Sequence, residues 1–301
     1  MKSLNEILDL ARKIGPKKIA VAAPEDDEVL RALDQAAKEK IIRGILIGNR
    51  NNIKKICKEE DINLEDFEII DEPDGFKASL MCCGLVNQKK AALMMKGLVG
   101  TAAFLKAILD KEKGLTTGRL LSHLAVFEIP SYPRLLMLTD VAINISPDLS
   151  EKAQIIQNAV DMAHCLGIQR PFVACIAAIE KINPDKMPST VDAAALSMMA
   201  KRGQIKGAVV DGPFGLDNAV SVEAARIKGI KSEIAGKADI LLVPYIESGN
   251  VIYKTLTELA RAKCAAIVLG ARSPVVLTSR ADNYETKFIS IALGVAGCGI
   301  E

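Results

Sequence analysis

Ser279, Arg280 and Asp282 stand within four positions of one another, directly behind the apolar run "VVLT". A hydroxyl, a guanidinium and a carboxylate in one short stretch supply a hydrogen-bond donor, a fixed cation and a proton acceptor, parts that suit a site for an anion. A second group follows "LLVPYI": Glu247, Ser248, Gly249 and Asn250, with Lys254 a few residues on. Ile240 to Val243 reads as a buried strand and Val251, Leu256 and Leu259 as one face of a following helix, so the four polar residues fall at the join. Two readings of that join stand side by side. In one, Gly249 turns the chain and Ser248 or Asn250 caps the helix. In the other, the free N–H groups of the helix start hold an anion, with Lys254 one turn in. Arg119, in "TTGRL", adds a further guanidinium with two hydroxyl neighbours. Lys96-Gly97 after "ALMM" and Asp211-Gly212-Pro213 after "AVV" are further polar strand ends. In open α/β sheets ligands bind outside the carboxyl ends of the strands, so these groups together point to a phosphate-bearing substrate.

The elements that must position these residues alternate from end to end. "KKIAVAA" is followed by "EDDEVLRALDQAAKEK", "IRGILIGN" by "RNNIKKICKEE", "FEIID" by "FKASLMCCGLVNQ", and "AALMMKG" by "TAAFLKAIL". Short apolar runs separated by helical stretches indicate βαβ units and a parallel sheet covered on both faces, hence an α/β fold. The pattern changes after "DKEKGLTTGRL", where "SHLAVFEI" and "RLLMLTD" are joined by "PSYP", too short for a helical crossover. These two strands are expected to pair antiparallel or to mark a change of sheet, with a domain boundary near Pro133. Alternation then resumes, with helices expected near Leu149 to Leu166, Thr190 to Lys201 and Ser221 to Lys228, and a last one beyond Ser279.

A chain of 301 residues is too long for one ordinary core, so two domains are expected. Half the residues are apolar and the net charge is +2, which gives no electrostatic reason to expect nucleic acid or a membrane surface. Glu6 and Asp9 occupy the place where a signal peptide needs an apolar core, and the longest uncharged run, Phe288 to Ile300, is short of a membrane span. A cytoplasmic protein is the expectation. Seven cysteines without a CxxC pair, mostly in apolar surroundings, read as buried thiols acting as small hydrophobes. His164 reads as a helix residue and His123 as a strand residue near enough to approach a site; neither has the partner a histidine metal site requires, and no metal is expected.

The stretches "DGPFGLDNAVS", "KGIKSEIAGKADILLVPYIESGNVIYKTL" and "PVVLTSRAD" resemble the phosphate acetyl/butyryl transferase family. "MMKG" and "TTGRLLSHLAVFEIP" resemble its butyryl branch, phosphate butyryltransferase, in particular, and the likeness runs from "KKIAVAAPEDDEVLRAL" to the C-terminus. The resemblance implies two α/β domains of the isocitrate/isopropylmalate dehydrogenase-like type with a cleft between them. It also implies that the C-terminal segment rejoins the first domain, giving 1–133 with 275–301 as one domain and 134–274 as the other. The loop at Gly249 and Asn250 would then face the cleft, which favours the anion reading, with Asn250 able to serve as cap as well.

The implied reaction moves a short acyl group, butyryl by preference, between coenzyme A and orthophosphate, with coenzyme A as substrate and no cofactor. Such chemistry calls for a positioned carboxylate, donors for an oxyanion and cations for phosphate, and for neither a metal nor a covalent enzyme nucleophile. By resemblance, Ser279 and Arg280 stabilise the coenzyme A thiolate and grip the phosphate or carbonyl oxygen. Acetyltransferase relatives carry an Asp seven positions after the serine; here Thr286 stands there, and Asp282 and Glu285 are the nearest carboxylates for the base. Asp282 could instead cap the following helix. Gly249, Asn250 and Lys254 are expected to orient phosphate, and Arg119 to hold phosphate or the coenzyme A diphosphate. A homo-oligomer is expected. The rival readings are a phosphate acetyltransferase, a non-catalytic acyl-coenzyme A sensing module, and a nicotinamide dehydrogenase of the same fold, the last disfavoured by the lack of a paired-Asp metal cluster.

Overall fold

The structure is a computed structural model and describes residues 1–279 and 282–299. In chain order its strands are β1 (Lys17–Ala22), β2 (Ile42–Gly48), β3 (Phe67–Asp71), β4 (Leu93–Lys96), β5 (Ser122–Glu128) and β6 (Leu136–Thr139). They continue as β7 (Phe172–Ile176), β8 (Val209–Phe214), β9 (Ile240–Leu242), β10 (Lys263–Leu269) and β11 (Val275–Val276). The helices are α1 (Leu4–Ile14), α2 (Asp27–Lys38), α3 (Arg50–Glu59), α4 (Gly75–Asn87), α5 (Thr101–Ile108) and α6 (Leu149–Cys165). After them come α7 (Ser189–Lys201), α8 (Leu216–Val220), α9 (Val222–Ile227), α10 (Ile246–Lys254) and α11 (Tyr284–Ala296).

The chain forms two compact units, a terminal one of Asn5–Arg119 with Ala265–Glu301 and a central one of Met1–Leu4 with Leu120–Cys264. In the terminal unit the strand order is β3-β2-β1-β4-β11-β10, parallel except where β10 meets β11. The inner strands are buried and read as continuous apolar runs, as a sheet covered on both faces requires. Helix α2 turns Val29, Leu30, Leu33 and Ala36 inward, and its start is fixed by Asp26, whose carboxylate accepts the Val29 N–H at 2.9 Å. Helix α11 is buried from Lys287 to Ala296, and Arg31 of α2 lies 4.7 Å over the Tyr284 ring in its first turn. Strands β4 and β11 run parallel, with Met94 opposite Val275 and Met95 opposite Val276, so the chain leaving each does so beside the other. Gly97, just past β4, is required there: a Cβ would stand 2.0 Å from the Ala23 carbonyl oxygen.

In the central unit the order is β5-β6-β9-β7-β8, with β5 and β6 antiparallel and the rest parallel. Its core gathers Phe127, Leu138, Phe214, Leu241 and Tyr253. The units divide at 119/120 and 264/265, whereas the sequence reading put the joins at 133/134 and 274/275. The antiparallel pairing of β5 with β6 keeps both strands in the central unit, so the join falls before β5. The pairing of Val268 with Val275 draws most of β10 into the terminal unit. Asp211-Gly212-Pro213, expected just past a strand, lies inside β8. Helix α8 was not expected at all.

Candidate active site

Ser279 sits at the carboxyl end of the sheet in the terminal unit, exposed, after buried Leu277 and Thr278. Its N–H donates to Asp282 Oδ2 at 2.7 Å and its carbonyl accepts the Asp282 N–H at 3.2 Å, so the two residues close a turn on each other. Arg280, between them, lies outside the described residues. The cap of α11 is Asn283, whose side chain accepts the Thr286 N–H at 3.0 Å, so the alternative in which Asp282 caps the helix does not hold. Asp282 is thereby left to hold the Ser279 N–H. Glu285 stands half-buried in the first turn of α11.

Beneath this turn are two lysines whose burial the sequence reading missed. Lys96, the last residue of β4, donates from its ammonium to the carbonyls of Gly97 at 3.0 Å and Val99 at 3.3 Å. Lys287, in the first turn of α11, donates to the carbonyl of Asp282. Both line, with Asp26, Thr278 and Ser279, a cavity of about 10 Å³, the room of a single water. Leu98, on the same wall, also borders an open cavity of about 480 Å³ that includes Glu25, Asn52 and Phe76.

The second group of expected site residues lies in the central unit. Glu247, Ser248, Gly249 and Asn250 are within α10, not in a loop before it, and the N-cap is Tyr245, with no side-chain capping bond. Neither Ser248 nor Asn250 is the cap: the Ser248 hydroxyl donates to the Tyr245 carbonyl at 2.8 Å. Gly249 is buried, and a Cβ there would stand 2.7 Å from the Asp140 carbonyl oxygen and 3.1 Å from Val141 Cα, so the backbone that approaches it closely is the protein's own. Asn250 is exposed, with its amide 3.5 Å from the Val141 carbonyl. Lys254 ends α10, two turns in, with its ammonium 4.0 Å from Glu258. Arg119 is half-buried at the end of the terminal unit's first segment, its N–H donating to the Thr117 hydroxyl at 3.3 Å.

Asp211 in β8 accepts from Ser232 at 2.6 Å and from Ser197 of α7 at 3.3 Å, a role in joining the strand to that helix and to the loop at Ser232. His123 is a buried strand residue of β5 whose ring meets Tyr253 edge-on; burial lowers its pKa, against the opposing pull of Asp140. His164 lies in α6 and shares a hydrogen bond with the Gly207 carbonyl. Burial pushes the thiol of Cys57 up to about 11 and that of Cys83 to about 12, and raises Cys82 and Cys175 as well, which keeps them protonated and poor nucleophiles. Among the described residues no group of three or more His, Cys, Asp and Glu could hold a metal ion, and no helix is long and apolar enough to cross a membrane.

The family model described as phosphate acetyl/butaryl transferase matches residues 3–79 and 75–295. A phosphate butyryltransferase of Clostridium acetobutylicum is 52% identical over 299 residues, covering 99% of this chain and 99% of its own. A phosphate acetyltransferase of Thermotoga maritima is 46% identical over 290 residues, covering 96% of this chain and 98% of its own. Among solved structures, a branched-chain phosphotransacylase from Enterococcus faecalis V583 superposes with a TM-score of 0.83 at 32% identity, covering 95% of this chain and 100% of that one.

Proposed function

The chain belongs to the phosphate acetyl/butaryl transferase family, and from that membership we propose that it is a phosphate butyryltransferase, moving a butyryl group between coenzyme A and orthophosphate. The single observation that supports a working site is the turn closed by Ser279 and Asp282 at the carboxyl end of the sheet. A sensing module needs to bind acyl-coenzyme A but has no use for an adjacent serine and arginine as donor and cation.

In the acyl phosphate direction a base takes the proton of the coenzyme A thiol, and the thiolate sulfur attacks the acyl carbonyl. The tetrahedral oxyanion then collapses, breaking the carbon–oxygen bond and releasing phosphate. Ser279 donates from its hydroxyl to the thiolate, and Arg280 grips the phosphate or the developing oxyanion, charges that grow toward the transition state. One Asp282 oxygen already accepts the Ser279 N–H, so Asp282 holds the turn and Glu285 is the base. Asn250, Lys254 and Arg119 bind phosphate and coenzyme A, with Gly249 seating the helix that carries the first two. The reaction uses side-chain cations and needs no added cofactor, and the enzyme works as a cytoplasmic homo-oligomer.

The test is release of free thiol from acyl-coenzyme A on addition of phosphate, with acetyl, propionyl and butyryl thioesters compared by kcat/KM. The highest value for butyryl-coenzyme A is expected. A higher value for acetyl-coenzyme A would make the protein a phosphate acetyltransferase, and thiol release from none of the three would overturn the catalytic reading.

A further inference from the structure

Lys96 and Lys287 are each only 3% exposed and border one cavity with Ser279. An ammonium is costly to take out of water, so two at one place call for a reason. Their bonds go to the turns on either side: Lys96 ties the carbonyls after β4, and Lys287 ties the carbonyl of Asp282 after β11. Two carboxylates belong to the same neighbourhood. Asp26 lines the cavity while capping α2, and Asp282 holds the Ser279 N–H. Without the lysines, an anion arriving at Ser279 would meet those two negative charges.

We infer that Lys96 and Lys287 are positioning residues that hold the Ser279 turn and offset Asp26 and Asp282, so that the turn accepts a dianionic phosphate. This rests on the acyl-transfer reading above. What the lysines decide is affinity for phosphate. Affinity for the thioester is left nearly unchanged.

The test is calorimetric titration of the full chain with inorganic phosphate, alongside KM for phosphate and for acyl-coenzyme A. Lys96→Met and Lys287→Met should each weaken phosphate binding about tenfold, or about 1.4 kcal/mol. The KM for acyl-coenzyme A should stay within about twofold, because uniform loss of binding to one substrate leaves the other's untouched. Asp26→Asn is the compensating change, since asparagine caps a helix as well as aspartate does. Added to Lys96→Met it should restore most of the phosphate affinity, and alone it should tighten phosphate binding with no loss of thermal stability. A lysine with a merely structural role predicts the opposite: both KM values and the thermal midpoint shift together, and Asp26→Asn rescues nothing. Either that pattern or unchanged phosphate affinity in the Lys→Met variants overturns the inference. If those variants do not fold, an unchanged phosphate affinity in Asp26→Asn alone overturns it. Wild-type protein that binds phosphate but transfers no acyl group would count against the functional reading and leave the phosphate titrations to decide this one.

Discussion

Ser279→Ala removes one hydroxyl and keeps the backbone groups that close its turn. The turn is closed by the Ser279 N–H on Asp282 Oδ2 at 2.7 Å and by the Asp282 N–H on the Ser279 carbonyl at 3.2 Å, and alanine keeps both groups. Ser279 is exposed, so the loss of stability should stay within about 0.5 kcal/mol. Under the proposed mechanism, what changes is the donor offered to the thiolate. Losing one preorganised donor to a developing charge costs about 2.7–4 kcal/mol, and at about 1.4 kcal/mol per decade this is two to three orders of magnitude in kcat. The donor matters most while the charge exists, so KM for coenzyme A should move by less than about threefold. The assay is thiol release from butyryl-coenzyme A with phosphate, paired with a thermal melt. A kcat within about threefold of wild type at an unchanged midpoint would refute the reasoning, because a folded protein would then be working without the donor.

Arg280→Gln should lower kcat/KM by about two to three orders of magnitude, with Arg280→Lys recovering only part because an ammonium lacks the paired donors of a guanidinium; near-normal turnover with unchanged phosphate affinity would remove Arg280 from the site. Glu285→Gln should lower kcat by about 10²–10⁴, whereas Asp282→Asn keeps an acceptor for the Ser279 N–H and should cost less than about tenfold; the reverse order of effects in the same thiol assay would exchange their roles. His123 is held below its ordinary pKa by burial, so the unfolded chain binds that proton more readily and stability is present above about pH 6.5 and lost as the pH falls toward the folded-state value. Denaturant titrations from about pH 7.5 to pH 5 should therefore show a shallower acid-side loss in His123→Gln, by up to about 1.4 kcal/mol per pH unit, and equal slopes would refute it.

Much of the fold was legible because it is written in local periods. The "PSYP" link, too short for a crossover, left an antiparallel pair or a change of sheet, and the pair is β5 with β6. The long amphipathic stretch after Pro147 gave α6 to within a residue, since Asp148 and Glu151 form a capping box that states its start in sequence. The stretch at Glu247 misled for an equally physical reason. Serine, glycine and asparagine are poor helix formers, so "ESGN" reads as a loop. Tertiary contact overrules that propensity: α10 lies so close to Asp140 and Val141 that only glycine fits at 249. The glycine that looked like a chain reversal is a packing residue inside a helix.

The candidate site was legible where it is contiguous and hidden where it is assembled. Ser279, Asp282 and Glu285 could be singled out because they share one short stretch. The choice between Asp282 and Asn283 as the cap of α11 could not be made from sequence, since both are good caps and they are neighbours. That choice has a chemical consequence. Asn283 takes the cap, and only because it does is the Asp282 carboxylate available to hold Ser279. Lys96 and Lys287 were hidden by distance along the chain. A lysine ending "LMMK" or opening an apolar helix ordinarily leads its ammonium out to water along its own stem. Here β4 and β11 lie side by side, and each lysine bonds carbonyls of its own turn at one shared cavity. A buried ammonium is therefore a property of strand order, and strand order between segments so far apart is what sequence periodicity does not carry.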